Sequence, residues 1–105
     1  MHQALIASKD VGGIAHARAI LRAASRESGY SIEELIGPSR LGGLVWVRHV
    51  AITAIRRGSR LSLKQIGTLF GNRDHTSIHY AVHRIERESR RRPEVAQLLQ
   101  EWSNG

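Results

Sequence analysis

The sequence contains no cysteine, which excludes a disulfide framework, a thiolate zinc site and a cysteine nucleophile. No apolar run approaches the length of a membrane-spanning helix, and residues 1–8 lack the basic-then-apolar order of a secretory signal. Only 5% of the residues are aromatic, whereas single-strand-binding surfaces repeat aromatic side chains for base stacking. We therefore expect a cytoplasmic protein, and these absences weaken any reading as a single-strand-binding protein.

Positive charge is concentrated in the second half of the chain. Residues 40–92 contain 12 Lys and Arg against 3 Asp and Glu, whereas the remainder contains 4 against 6, and the net charge is +7. A phosphate backbone is the commonest intracellular partner of such a surface. An acidic membrane surface competes, but a membrane-binding helix needs exposed bulky apolar residues, and a core accounts for the apolar positions here. We expect nucleic acid, not a membrane, as the partner.

Apolar residues recur at helical spacing from Ile14 onward, and no segment alternates apolar and polar residues as a strand does. With 105 residues, the chain is long enough for one domain with one modest core. We therefore expect a single domain over residues 14–105. Residues 1–13 show no sustained period, which predicts an N-terminal tail or a short helical extension.

Local signals mark where the helices begin. Residues 31–34 (Ser-Ile-Glu-Glu) and 62–65 (Ser-Leu-Lys-Gln) are capping boxes, each of which begins a short helix. Residues 37–43 are rich in helix breakers and form a loop before a long helix, and Pro93 occupies the first position of a terminal helix. The sequence predicts an all-α fold, a compact bundle of about six helices joined by short loops.

The most informative stretch is residues 71–77, Gly-Asn-Arg-Asp-His-Thr-Ser. Asp74 and Thr76 can both accept backbone N–H bonds at a helix start, and the short polar side chains of the first turn suit base edges. On these seven residues alone, an ordinary capped helix after a glycine turn fits equally well.

The surrounding residues favour a helix-turn-helix over residues 62–91. In that motif the first helix crosses the DNA backbone and the second lies in the major groove. Gly67 stands within the first helix, where it costs about 1 kcal/mol relative to Ala, and such a glycine usually means that another helix approaches closely. The sequence therefore predicts duplex DNA binding by the helix that follows residue 74.

The run from Leu61 to Ala81, followed by Arg84-Ile-Glu86, closely resembles the signature of the C-terminal DNA-binding domain (domain IV) of the bacterial chromosomal replication initiator DnaA. The resemblance extends more weakly from Ile14 to Trp102. It implies an all-helical, helix-turn-helix fold of the kind found in Trp repressor and the DnaA C-terminal domain, which binds a nine-base-pair element, the DnaA box. It also implies a location at the bacterial nucleoid.

The resemblance implies roles for particular residues. Arg40 matches the loop arginine that enters the minor groove in the family, and Asp74, His75 and Thr76 match its base-reading run. Ser77 replaces the family's usual second threonine and is assigned to the major groove with them, together with Lys64, which is also a phosphate candidate. The remaining basic candidates for phosphate contact are Arg48, Arg56, Arg73 and Arg84. No cofactor and no metal are expected.

Three departures from the family pattern put base preference and affinity in question. The loop over residues 37–43 keeps one basic residue where relatives have several. Leu63-Lys64 replaces a leucine-proline pair, and Trp46-Val47-Arg48 replaces an Arg-Pro-Arg that opens the long helix. These changes predict a lower affinity, and they leave the exact base preference undetermined.

Relatives carry this domain behind an ATPase, yet no Gly-x-x-x-x-Gly-Lys-Ser/Thr phosphate loop occurs in these 105 residues. The chain is therefore either an excised domain or a stand-alone protein, and Met1 and its leader favour the second. We expect a regulator of replication or transcription that lacks the initiator ATPase. Besides duplex DNA, a replication initiator or other DNA-bound proteins are candidate partners.

Metal binding and catalysis are weaker alternatives. His75, His79 and His83 recur every four residues and could offer imidazoles to a metal, but carboxylate partners and a His-Glu-x-x-His motif are absent nearby. The adjacent carboxylates at residues 33–34 are explained by helix capping, and no sequence feature indicates the cleft that general acid–base catalysis needs. We do not expect an enzyme.

Two readings remain open beside specific DNA recognition. The chain could be a non-specific DNA binder, in which residues 90–92 (Arg-Arg-Arg) extend the phosphate-facing surface or simply form a solvated helix end. It could also be a small helical protein-interaction module that presents a helix face to a partner. The dependence of binding on salt and on base sequence separates these readings.

Overall fold

Six α-helices make up the part of the chain that the structure describes. This structure, a computed structural model, describes the backbone of residues 2–104 and the side chains of residues 12–104. The helices are α1 (His2–Ser28), α2 (Ile32–Ile36), α3 (Gly42–Gly58), α4 (Leu63–Leu69), α5 (His75–Arg91) and α6 (Pro93–Ser103). No strand occurs within residues 2–104, and the predicted all-α bundle of about six helices is confirmed.

Helix α1 begins earlier than the apolar periodicity indicates. Its backbone is helical from His2 and continues through Gly12 and Gly13. Helical hydrogen bonds propagate along a backbone without requiring an apolar face, so periodicity gives no signal there. The side chains of residues 1–11 lie outside the described part, and the division of the chain at residue 14 stays a prediction.

Helix α3 is the centre of the core, because α1, α5 and α6 all pack against it. Residues 50–55 of α3 are buried without interruption, which is more than the single stripe that the sequence predicts. The additional burial follows from packing on several sides of one helix. Trp102 of α6 is buried in this core, and Trp46 of α3 is half-buried at its edge.

Both predicted capping boxes are present. The hydroxyl of Ser31 accepts the Glu34 N–H at 3.0 Å, and the Glu34 carboxylate accepts the Ser31 N–H at 2.9 Å. Ser62 and Gln65 repeat the arrangement at 3.1 and 2.8 Å. Each box satisfies backbone donors that have no partner within a helix, so α2 and α4 begin at fixed residues despite their shortness.

The turn between α4 and α5 is built on a close approach at Gly67. The Arg73 N–H donates to the Gly67 carbonyl at 2.8 Å, and a Cβ at Gly67 would overlap the carbonyl oxygen of Arg73. Gly71 and Asn72 then adopt φ angles of 74° and 61°, in the left-handed region. A close approach at Gly67 is confirmed, but the approaching backbone is that of the turn residue Arg73, not of another helix as the sequence predicted.

Candidate nucleic-acid interface

The amino-terminal end of α5 presents four exposed polar side chains in succession, from Asp74 to Ser77. Asp74 is the N-cap, and its carboxylate accepts the Thr76 N–H at 3.4 Å. The same oxygen lies 3.1 Å from Nδ1 of His75, and the two side chains are 67% and 69% exposed. Behind them Ile78 is buried and anchors the helix end in the core. The end of α5 therefore offers acceptors, donors and a methyl group on a fixed support.

The loop between α2 and α3 is held in place by the buried side chain of Arg48. This side chain is only 3% exposed, and its guanidinium donates to the carbonyls of Leu35 at 2.6 Å, Ser39 at 2.8 Å and Glu34 at 3.2 Å. Burial and the nearby charge of Arg73 lower the pKa of Arg48 from its usual value. Arg48 is thus not on the surface, and it does not belong with the phosphate candidates. Its sequence position carried the signal, because Leu44, Arg48 and Ala51 share the buried face of α3.

The same loop is fastened to the helix-turn-helix by Arg73, whose Nη2 donates to the Gly37 carbonyl. Arg73 is half-buried, whereas Arg40 is exposed. The two arginines line one shallow groove together with Ile36, Pro38 and Gly71. The predicted minor-groove residue is therefore brought beside the turn that precedes α5, with a fixed relation to it.

A second cationic group lies where α3 crosses α5. Nη1 of Arg84 is 3.0 Å from Nδ1 of His49, and the guanidinium carbon of Arg84 lies 5.2 Å from the centroid of the Trp46 ring. The His49 ring also meets the Tyr80 ring edge-on, with centroids 6.1 Å apart. Burial, followed by the charges of Arg84, Arg48 and Arg73, lowers the pKa of His49 to about 4. His49 is therefore a neutral acceptor for Arg84 near neutral pH.

The arrangement around Arg84 was missed in the sequence. Arg84 itself is among the predicted phosphate candidates, but Trp46, His49 and Tyr80 are not assigned a role there. Their proximity depends on the crossing of two helices that are far apart in sequence. The departure of Trp46 from the family pattern was the only local signal.

Arg56 and Lys64 are both exposed. Arg56 lies near the carboxyl end of α3, where Nη1 donates to the Leu61 carbonyl at 3.0 Å. At 1.5 Å per residue, it stands roughly 20 Å along α3 from Gly42, at the end that holds the Arg40 loop. The basic candidates therefore lie at both ends of α3.

The charged run at the end of α5 is largely paired. Glu88 lies 3.6 Å from Arg91 and 3.8 Å from Arg92, and Arg92 also donates to Glu94 at 2.8 Å. This arrangement is typical of a solvated helix end, the plainer of the two readings of residues 90–92.

The three histidines of α5 do not converge with other described ligands. The His79 and His83 rings meet edge-on with centroids 4.2 Å apart, whereas His75 pairs with Asp74. Among the described residues, no group of three potential metal-binding side chains comes together. Within the same residues, none of the helices combines the length and apolar character that crossing a bilayer requires.

Comparison with known proteins places this surface in a family. The model of the family described as "Bacterial dnaA protein helix-turn-helix" matches residues 17–85. The chain is 35% identical over 85 residues to the chromosomal replication initiator protein DnaA of Picosynechococcus sp., which covers 81% of the chain and 19% of that protein. It is 38% identical over 80 residues to the DnaA of Thermus thermophilus, covering 76% and 18%. The chain thus spans about a fifth of these relatives' length, and it belongs to the bacterial DnaA helix-turn-helix family of DNA-binding domains.

Proposed function

We propose that this chain binds duplex DNA sequence-specifically, at an element like the DnaA box. The amino-terminal end of α5 lies in the major groove, and Arg40 enters the adjacent minor groove. The observation that carries the proposal is the exposed run from Asp74 to Ser77, held in place by the buried side chain of Ile78. A helix-turn-helix presents this part of its second helix to base edges.

The chemistry of the four side chains suits the major groove. A carboxylate such as Asp74 accepts a hydrogen bond from a cytosine amino group, and the methyl group of Thr76 contacts a thymine methyl. His75 and Ser77 add groups that both donate and accept. Because Asp74 lies 3.1 Å from Nδ1 of His75, each side chain restricts the orientation of the other before DNA arrives.

Phosphate contacts position the domain without reading sequence. We assign this role to Arg56, Arg73 and Arg84, and to Lys64 beside the major groove. Arg73 does so with the part of its guanidinium that does not hold Gly37. Arg48 is left out because its donors are occupied by backbone carbonyls. Arg48 and Arg73 hold the loop over residues 37–43 beside the turn that precedes α5. This placement supports the assignment of Arg40 to the minor groove next to the major groove that α5 occupies.

In this proposal the protein regulates replication or transcription by occupying DNA, needs no cofactor and catalyses no reaction. Its partners are duplex DNA and, on the same DNA, a replication initiator or other bound proteins. A domain that shares a binding element with an initiator competes with it or recruits it, depending on the spacing of the sites. ATP hydrolysis is not part of this role.

Fluorescence anisotropy tests the proposal with a labelled duplex that contains a DnaA box and a scrambled duplex, each titrated across a salt series. We expect tighter binding to the box at every salt concentration, and a negative slope of log K against log salt for both duplexes. Identical curves would favour a non-specific DNA binder. No binding to either duplex would favour a protein-interaction module.

A further inference from the structure

Leu41 is left largely in solvent beside the candidate minor-groove arginine. Among the side chains that the structure describes, Leu41 and Tyr80 are the large hydrophobic ones left exposed, and Leu41 is 67% exposed. A single exposed leucine is ordinary on a protein surface, so its exposure alone means little. Its position between Arg40 and the start of α3 carries the inference.

The backbone on which Leu41 stands is rigidly connected to the helix-turn-helix. Arg48 holds the Ser39 carbonyl at 2.8 Å, and Arg73 from the turn holds the Gly37 carbonyl. A Cβ at Gly71 would lie only 2.9 Å from the Ile36 carbonyl oxygen, so the turn and the loop are in close contact. The direction of Leu41 relative to α5 is therefore set before any ligand binds.

The surroundings of Leu41 suit a polyanion with an apolar interior. Residues 37–43 contain no acidic residue, and Arg40 is exposed next to Leu41. Gly42 and Gly43 follow without side chains, and a Cβ at Gly42 would meet open space. At Gly43 a Cβ would lie 2.9 Å from the Tyr30 hydroxyl, so the open space next to Leu41 is on the Gly42 side. A minor groove offers this combination, because phosphates line its edges and an opened base step exposes apolar base faces between two base pairs.

We propose that Leu41 is an apolar wedge that enters the minor groove together with Arg40 and partly separates two stacked base pairs. The proposal rests on the function proposed above. Proteins that insert leucine or similar side chains in this way bend the duplex toward the major groove. Flexible pyrimidine–purine steps yield more readily than A-tracts, so Leu41 contributes to sequence preference at a step that makes no hydrogen bond with it.

The bend is measured by fluorescence energy transfer between the two ends of a short DnaA-box duplex, and affinity is measured by anisotropy on the same duplex. We expect Leu41→Ala to reduce the bend by about 20° or more and the affinity about three- to tenfold. Leu41→Met keeps an apolar side chain of similar volume and should retain both. Gln97→Ala, an exposed change on α6, should behave as the wild type.

A second readout is the base step placed under Leu41. The wild type should prefer a TA step to an A-tract at that position, and Leu41→Ala should lose this preference. If Leu41→Ala binds and bends the duplex as the wild type does, or loses affinity with an unchanged bend, the wedge is wrong while the proposed DNA binding stands. Failure of the wild type to bind any duplex would overturn both proposals.

Discussion

The guanidinium carbon of Arg84 lies 5.2 Å from the centroid of the Trp46 ring, which places a cation over an aromatic face. The same side chain donates to Nδ1 of His49 at 3.0 Å. An unrestrained arginine loses rotamer freedom when it contacts a phosphate, whereas these two partners restrict Arg84 in advance. A tryptophan of α3 thus holds an arginine of α5 in place.

Replacing Trp46 tests this support. We expect Trp46→Ala to weaken binding about two- to fivefold on box and scrambled duplexes alike, because a cation–π contact that is not fully desolvated contributes about 0.5–1 kcal/mol. In an Arg84→Ala background, the same change should have little further effect. Anisotropy titrations of the four proteins complete the cycle, with Trp46→Phe as the variant that keeps a ring. An equal loss with and without Arg84 would mean that the ring acts elsewhere.

Arg48 should matter for stability. Arg48→Met keeps much of the packing but removes the guanidinium donor from the carbonyls of Leu35, Ser39 and Glu34, of which Glu34 still accepts the Gly37 N–H at 3.3 Å. We expect the free energy of unfolding to fall by about 3 kcal/mol, since buried polar groups without partners are costly. Urea denaturation measures the change. Arg18→Met, on the exposed face of α1, is the control and should shift stability by less than about 0.5 kcal/mol. Equal midpoints for the two variants would refute the assignment.

Gly67 and Gly42 form a matched pair for the helix-turn-helix geometry. Ala is a better helix former than Gly, so Gly42→Ala, which meets open space, should leave stability unchanged or raise it slightly. Gly67→Ala should instead lose about 1–3 kcal/mol, because its methyl group would overlap the Arg73 carbonyl oxygen. Thermal unfolding followed by circular dichroism compares them. A Gly67→Ala protein as stable as Gly42→Ala would contradict the close approach.

Because the pKa of His49 is lowered in the folded state, the free energy of unfolding should decrease as the solution becomes more acidic. The folded-state pKa is about 4, below the usual value of 6.5, so between these values the unfolded chain takes up a proton that the folded chain does not. The contribution is therefore complete above pH 6.5 and is lost as the pH falls toward 4. We expect His49→Gln to flatten this part of the profile measured by urea denaturation from pH 7 to pH 4.5. An identical pH dependence in both proteins would rule out His49 as the source.

Most of the fold was accessible from the sequence because its signals are local. The capping boxes at Ser31 and Ser62 depend on residues three apart. Gly67 lies within a helix, where glycine is unfavourable, and this position indicates a close approach. The candidate recognition run from Asp74 to Ser77 is likewise continuous in sequence. These features need no knowledge of how the helices are arranged in space.

The remainder depends on helix crossings that no local pattern encodes. Arg84 meets His49 across 35 residues of sequence, and their pairing exists only because α3 and α5 cross there. Arg48 was assigned to phosphate by its charge, although its register with Leu44 and Ala51 points it into the core. A charged residue on an apolar stripe gives two conflicting signals, and in this protein burial with three carbonyl partners decided the outcome.

The central claim is that the amino-terminal end of α5 reads base identity. It is tested most directly by the ratio of affinities for box and scrambled duplexes, measured for the wild type and for variants at that end of α5. We expect Asp74→Ala and His75→Ala each to reduce the difference in binding free energy between the two duplexes by about 1–3 kcal/mol, because each removes a group that distinguishes base edges. Arg56→Ala should weaken both duplexes alike, leave the ratio intact and reduce the salt slope by about one. If the Asp74 and His75 variants instead lose affinity equally on both duplexes, the end of α5 does not read base identity.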